Sequence, residues 1–470
     1  MDKSAAVFHR TACVLLVTAV FLAPFPLGSN RDWAWSPLAL IVGAALIAYS
    51  LAQFGTHRAP VPWPLSLVVA AVAMSTVIAW AILCATSVLS PGHLVSFFAS
   101  ADAALGRGAT ARGVLDAERA MTASMLLATY ATVFWLSLRL SFDRRFASAI
   151  SFALLCAALL VTLYGWAMEV STRSCVVLTI VKRPFANGDP CSLSGTFVNS
   201  SNYSDFAALM SLMCLANLQG SLLQVGSSSG SSRARWRARL MVLTGVGAFY
   251  LVALIFLLGS IVYSASRAGL LSFIAAALSM TLLTATLYDQ RRSRLVATSM
   301  AVSLVIAATM IIGGESVIRR FLVLLSEGET DRSQVFALTI DAITVSPWVG
   351  WGLGSFSSLY PVFQPTSVPL IFDKAHNTYL ENALDLGIPA ALLLLVAIVS
   401  PVFRCVRGLR ERRRDTQYAA AAVGAAIHLG LHSTVDFGAQ IPVVAVAFSA
   451  ILGVGWAQSW SSRQVASDEA

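Results

Sequence analysis

Apolar residues run along this chain in long blocks, with neither the strict alternation of a half-buried strand nor the one-sided stripe of a soluble amphipathic helix. Twelve blocks reach the roughly 20 residues that a bilayer crossing needs: 11–28, 34–54, 63–88, 121–139, 147–168, 204–224, 240–264, 268–287, 295–313, 383–403, 417–435 and 441–459. A segment in hydrocarbon must satisfy its own backbone N–H and C=O groups, so each block predicts an α-helix. The fold class that follows is an all-α integral membrane protein of about twelve transmembrane helices. The first block has the length of a signal-peptide apolar region, but no small-residue cleavage site stands out, and it reads as the first span.

Composition points the same way. Of 470 residues, 57% are hydrophobic and 12% charged, and the mean hydropathy is +0.74. A soluble domain carries about 25% charged residues, so soluble multidomain, coiled-coil, disordered and collagen-like chains are excluded. The net charge of +9 rests on arginine, because Lys3, Lys182 and Lys374 are the only lysines. With the N-terminus inside, the even-numbered loops hold the arginine clusters at 139–145, 233–239, 291–294 and 404–414. This is the positive-inside asymmetry. It places both termini in the cytoplasm and makes nucleic acid unnecessary as an explanation of the charge. The Gly/Ser-rich run 226–232 reads as a flexible inner loop.

Three outer segments are long: 89–120, 169–203 and 314–382. The last exceeds a mere connector and divides the chain into 1–313 (spans one to nine), 314–382 (an outer loop with candidate chemistry) and 383–470 (spans ten to twelve and a tail). Cys175 and Cys191 share the second outer segment. On an oxidising side they can close the loop 175–191 as a disulfide, worth roughly 3 kcal/mol by loop entropy. Two free thiols are the alternative, since spacing does not show whether their Cβ atoms approach. Cys13, Cys84, Cys156, Cys214 and Cys405 fall in spans or at the inner face, where Cys acts as a small apolar residue. No cysteine shows metal-ligand spacing.

Ionisable groups near a bilayer are costly, which makes each a functional candidate. Arg267, in Ser264-Ala265-Ser266-Arg267, sits between two spans with almost no loop. Its planar fork matches phosphate, and snorkelling to headgroups is the alternative. Arg332, in Thr330-Asp331-Arg332-Ser333-Gln334, precedes Gly350-Trp351-Gly352-Leu353-Gly354-Ser355-Phe356. Those glycines permit a sharp bend or close approach to a ligand, but no Lys-Ser/Thr follows, so this is not a nucleotide P-loop. His376 lies just before span ten in His376-Asn377-Thr378-Tyr379-Leu380, and histidine is the side chain best suited to take a proton near neutral pH. His428, His432 and Asp436, at a spacing of four, share one helix face. Interhelical hydrogen bonding is the plainest role for them. A metal site there lacks a further ligand identifiable from spacing. Two arginines suit an anionic leaving group such as a pyrophosphate, and a base suits an acceptor hydroxyl. No acidic cluster of the kind that holds a divalent metal lies on the outer loops, so the expected transfer uses no metal and no cofactor.

At these residues the chain resembles the O-antigen ligase / O-antigen polymerase superfamily of bacterial inner-membrane glycan transferases. His376-Asn377-Thr378-Tyr379-Leu380, with Gly387-Ile388-Pro389 seven residues on, resembles its His-Asn-x-Tyr/Phe-Leu…Gly-Ile/Leu-Pro signature. Ser266-Arg267 resembles its Ser-Arg at a span end. Arg332 with Gly350 to Phe356 resembles its arginine plus glycine-rich segment. Gly195-Thr196-Phe197-Val198-Asn199 and the pair His432-Ser433 and Asp436-Phe437 resemble two further segments, the latter common in the exopolysaccharide branch. Five such motifs in family order span roughly 190–445.

The resemblance implies about twelve spans with a large periplasmic loop between spans nine and ten, in the bacterial inner membrane, with the active site facing the periplasm. It implies an undecaprenyl-diphosphate-linked glycan as donor, and lipid A–core or a lipid-linked repeat unit as acceptor. It implies His376 as general base, Arg267 and Arg332 on the pyrophosphate, and inversion at the anomeric carbon. Asn377, Tyr379, Asn199, Asp436 and His432 are the candidate substrate contacts. Ser200 and Ser201 stand where many members have Arg and Asn, which leaves Lys182 or Arg183 as substitutes for a basic contact. Asp385 replaces a common Glu. Ligase and polymerase share these motifs, and polysaccharide assembly proteins are possible partners. A transporter or flippase of lipid-linked sugars is the competing class; it predicts an internal repeat and polar groups at the midplane, and the sequence shows neither.

Overall fold

The computed structural model describes residues 3–54, 63–88, 94, 98–99, 102–106, 113–171, 173, 175–182, 191–226, 231–287, 330–365, 372–412 and 414–460. These residues are almost wholly helical. The first part contributes α1 (Lys3–Leu22), α2 (Asp32–Phe54), α3 (Leu65–Ala85), α4 (Ala117–Leu140) and α5 (Arg144–Val170). It continues with α6 (Ser200–Gly226), α7 (Ser232–Thr244), α8 (Val246–Tyr263) and α9 (Arg267–Leu287). Then come α10 (Thr330–Val345), α11 (Phe356–Phe363), α12 (Thr378–Leu386), α13 (Ile388–Glu411), α14 (Thr416–His432) and α15 (Pro442–Ala457). Val176–Val177 and Ile180–Val181 pair as a short antiparallel ladder.

By length and composition, eight of the described helices can cross a membrane: α1 to α5, α8, α9 and α13. The chain is accordingly an integral membrane protein. The blocks at 204–224, 417–435 and 441–459 are helical as α6, α14 and α15 but are not among the eight. Their surroundings explain this. These three helices pack on one another at the centre of the bundle, where almost every side chain meets protein. A central helix can carry polar groups that a lipid-facing helix cannot, and α6 buries Asn202, Ser204, Asp205, Ser211 and Gln219. α14 and α15, with 17 and 16 residues, fall short of the roughly 20 that span hydrocarbon. The block at 295–313 lies outside the described residues, as do residues 314–329 of the outer loop.

The described residues of α10 to α12 share a separate hydrophobic core of Trp351, Phe356, Leu359 and Tyr360, with Val335 and Leu384. The membrane-length helix of the block at 383–403 begins later than hydropathy implies. Gly387, at φ +78°, ends α12 and starts the span at Ile388; a Cβ there would meet the Trp348 carbonyl oxygen at 2.5 Å. The glycine-rich run docks on this junction. Trp351 N donates to Leu384 O at 3.0 Å, and Gly352 N to Asp385 O at 2.9 Å. Gly350, Gly352 and Gly354 all have positive φ, and a Cβ on Gly350 would sit 2.4 Å from Asp385 O. The close approach is therefore to the chain itself, to backbone at Gly350 and to the Val114 side chain at Gly352.

Candidate functional site

The last carbonyls of a helix have no partner within it. α14 ends at His432, and the carbonyls of the turn that follows it, with Gly430 O in its last turn, are met by the segment around His376. Ser433 O accepts from Thr378 N at 2.9 Å. Thr434 O accepts from Asn377 Nδ2 at 2.9 Å, Val435 O from Arg332 Nη1 at 3.2 Å, and Asp436 O from Thr378 Oγ1 at 3.1 Å. One turn back, Gly430 O accepts from Tyr379 Oη at 2.8 Å. Burial raises the Tyr379 phenol above its ordinary value, so it stays a donor. Asn377 also caps α12, its Oδ1 accepting from Tyr379 N and Leu380 N, each at 3.0 Å. Asn377 and Tyr379 thus bind the turn 430–436 and hold the residue before them.

That residue, His376, has φ +51°, a conformation uncommon outside glycine. Its ring stands edge-on to Phe437 at 5.0 Å and to Phe372 at 6.1 Å. Its Nδ1 lies 3.4 Å from Asp436 Oδ1, within ion-pair reach, but makes no hydrogen bond among the described residues.

The two arginines are exposed, each in the first turn of a helix. Arg267 is the first residue of α9, whose start is capped by Ser266 Oγ accepting from Gly269 N at 3.2 Å. Arg332 is the third residue of α10. A cation in a first turn opposes the helix dipole, so neither position is favoured by its own helix. An anion there would meet both the guanidinium and the free N–H groups.

Behind His376 runs a line of buried ionisable groups. Asp205 Oδ1, on α6, accepts from His432 Nδ1 at 2.7 Å and His428 Nε2 at 3.0 Å. His432 Nε2 faces Asp436 Oδ2 at 4.0 Å. His428 Nδ1 meets Ser272 Oγ of α9 at 3.2 Å. Sequence reasoning found the two histidines and Asp436 but missed Asp205, whose one signal is an acidic residue inside an apolar block. Gly438 belongs to this cluster too, because a Cβ there would lie 1.6 Å from Asp205 Oδ2.

A second ionisable cluster lies nearby on α12. Lys374 Nζ meets Glu381 Oε1 at 2.8 Å and donates to Gln440 Oε1 at 2.7 Å. Ala375 N donates to Glu381 Oε2 at 2.9 Å, and Gly354 N to Asp385 Oδ2 at 2.7 Å. Burial works against the Lys374 ammonium, but the Glu381 carboxylate beside it prevails and holds its pKa above the usual value. Burial, then the charge of Glu381, push the Asp385 carboxyl up to about 8.

Between α3, α4, α12, α13 and α15 lies a cavity of about 1210 Å³. Leu126, Leu395 and Phe448 line its apolar part, and Arg119, Tyr379 and Glu381 its polar part. Neither His376 nor Arg267 nor Arg332 lines it; it borders their site through Thr378 and Tyr379.

The remaining candidates stand apart. Cys175 and Cys191 are joined as a disulfide. Asn199 Oδ1 accepts from Ser201 N at 2.8 Å at the start of α6. Lys182 Nζ turns to Ser192 O at 3.1 Å and Ser194 Oγ at 2.8 Å, and burial pulls its ammonium down to about 8 against the pull of Glu169. Arg183 lies outside the described residues. The described residues contain no group of three or more His, Cys, Asp or Glu side chains arranged to hold a metal ion.

Comparison with curated proteins finds no match. Residues 252–395, which include Arg267, Arg332, the glycine-rich run and His376, match the family model for O-antigen ligase. That stretch is similar to the O-antigen ligase family, in line with the superfamily that the chain's motifs resemble.

Proposed function

We propose that this protein is a glycosyltransferase that moves a glycan from an undecaprenyl-diphosphate carrier to an acceptor hydroxyl at the periplasmic face of the bacterial inner membrane. The acceptor is lipid A–core or a lipid-linked repeat unit. The observation that carries this reading is the convergence on one turn: His376 reaches Asp436, and Arg332 binds the Val435 carbonyl beside it.

In this reaction His376 Nε2 takes the proton of the acceptor hydroxyl while Asp436 faces its Nδ1. The acceptor oxygen attacks the anomeric carbon, and the carbon–oxygen bond to the diphosphate breaks, its electron pair leaving with the phosphate. Arg267 and Arg332 receive that charge. One displacement inverts the anomeric centre, and no metal takes part. The strained backbone at His376 and the two arginines set against their helix dipoles support the assignment, because such features persist where they serve function. The amphipathic cavity beyond α12 suits the lipid part of a substrate.

The test is transfer by purified protein in lipid nanodiscs, with lipid-diphosphate glycan extracted from transferase-deficient cells. Wild type makes product and His376→Ala does not. A ladder from donor alone marks a polymerase, and one shifted band that needs lipid A–core marks a ligase. Consumption of donor by His376→Ala at the wild-type rate rejects the assignment.

A further inference from the structure

The line of buried groups behind His376 has a donor and acceptor count that ends one proton short. A carboxylate only accepts hydrogen bonds. Both imidazole nitrogens on Asp205 Oδ1 must therefore carry hydrogen, His432 at Nδ1 and His428 at Nε2. With Nδ1–H committed, His432 presents Nε2 to Asp436 Oδ2 across 4.0 Å, and Nε2 has no hydrogen-bond partner among the described residues. When His432 is neutral, a lone pair faces a carboxylate there, and one added proton would join the two. The same carboxylate faces His376 Nδ1, which also lacks a hydrogen-bond partner among the described residues. Asp205 and His432 are buried, and among the described residues no polar side chain other than those of the line itself is bonded to either. A metal would lie between its ligands at about 2 Å from each, whereas two imidazoles here meet a single carboxylate oxygen at hydrogen-bond distance.

We infer that Asp205 and His432 are positioning residues for transfer: Asp205 fixes the orientation and tautomer of His432 so that the proton taken by His376 passes through Asp436 and rests on His432 Nε2. The inference depends on the glycosyl-transfer reading given above. The proton balance is complete. His376 gains the hydroxyl proton at Nε2 and gives its Nδ1 proton to Asp436, which gives one to His432. The imidazolium then lies between two carboxylates; once the products leave, the proton returns through Asp436 to His376 Nδ1, and His376 Nε2 releases its proton to solvent. The gaps of 3.4 and 4.0 Å flank one side chain, and hydrogen bonds of this kind tighten when substrate binds. The ionisable groups facing His432 are Asp205 on α6, His428 on its own helix, Asp436 in the following turn and Arg332 on α10. Ser272 adds a neutral hydroxyl from α9.

The experiment uses the full chain in nanodiscs with the extracted donor, and compares wild type with His432→Asn, Asp205→Asn and His376→Ala. The Asn amide at 432 keeps a donor for Asp205 and removes the ring nitrogen that faces Asp436. His432→Asn and Asp205→Asn should lower kcat by about tenfold or more at unchanged donor KM, and displace the acid limb of kcat against pH. If His376→Ala is inactive while both Asn variants keep wild-type kcat and pH profile, the relay is wrong and the base assignment stands. If His376→Ala is active, both fall. Should the Asn variants not fold, wild-type rates in mixtures of H2O and D2O decide: a curved dependence on deuterium fraction supports two protons in flight, and a straight line rejects the relay.

Discussion

Two buried ionisable clusters flank α12, and they differ in how their polar atoms are satisfied. In the Lys374–Glu381–Asp385 cluster every carboxylate oxygen in contact has a fixed donor: the Lys374 ammonium, Ala375 N, Gly354 N or Ser355 Oγ. In the His376–Asp436–His432–Asp205 line, three buried atoms lack a hydrogen-bond partner among the described residues: His376 Nδ1, His432 Nε2 and Asp205 Oδ2. Buried polar groups are ordinarily paired, and an exception asks for a reason. The first cluster is a clamp that ties the glycine-rich run to the start of α13. The second has room for a proton that moves. Proximity and charge alone would not distinguish the two.

Substitutions can test that difference, and the largest effect falls on the open line. His376→Ala should cut kcat by roughly 10²- to 10⁴-fold with no loss of thermal stability, measured by product formation and by melting in the same nanodiscs. Arg267→Ala and Arg332→Ala follow, each lowering kcat by roughly 10²- to 10³-fold through loss of charge on the leaving diphosphate. Their stabilities should diverge. Arg332→Ala removes the donor on Val435 O and should lower Tm, whereas Arg267→Ala removes a cation that opposes its own helix dipole and should not.

The clamp should respond in stability first. Glu381→Gln removes the charge that faces Lys374 and should cost about 1–2 kcal/mol, less than breaking a fully buried ion pair because the Lys374 side chain is 32% exposed, read as a fall in Tm. The remaining effect appears as a pH dependence. Asp385 holds its proton to about pH 8 in the folded chain, against an ordinary value of 3.8. Its contribution to stability is complete below the ordinary value and is lost as pH rises through about 8. Asp385→Asn mimics the protonated carboxyl, so its Tm should decline less than that of wild type between pH 4 and 8.

The sequence made the helical class legible because lipid-facing helices must be apolar along their length, as α3 and α8 are. It did not reveal that α6, α14 and α15 form the centre, where facing protein relaxes that demand. His376 and the two arginines were visible because local motifs carry them and ionisable groups beside a bilayer are costly. The capping work of Asn377 and Tyr379 was not, since the carbonyls they bind belong to a turn more than fifty residues away. Asp205 escaped for the same reason. Its partners lie 223 residues on, and nothing local marks an aspartate that two distant histidines will meet.

The most direct measurement is in vitro transfer with extracted lipid-diphosphate glycan, by wild type and by His376→Ala, Arg267→Ala and Arg332→Ala of matched folding. A new glycosidic product from wild type, with donor left intact by all three variants, is the predicted result. Wild-type product yield from His376→Ala, or intact donor with folded wild type and both acceptors present, would contradict glycan transfer at this site.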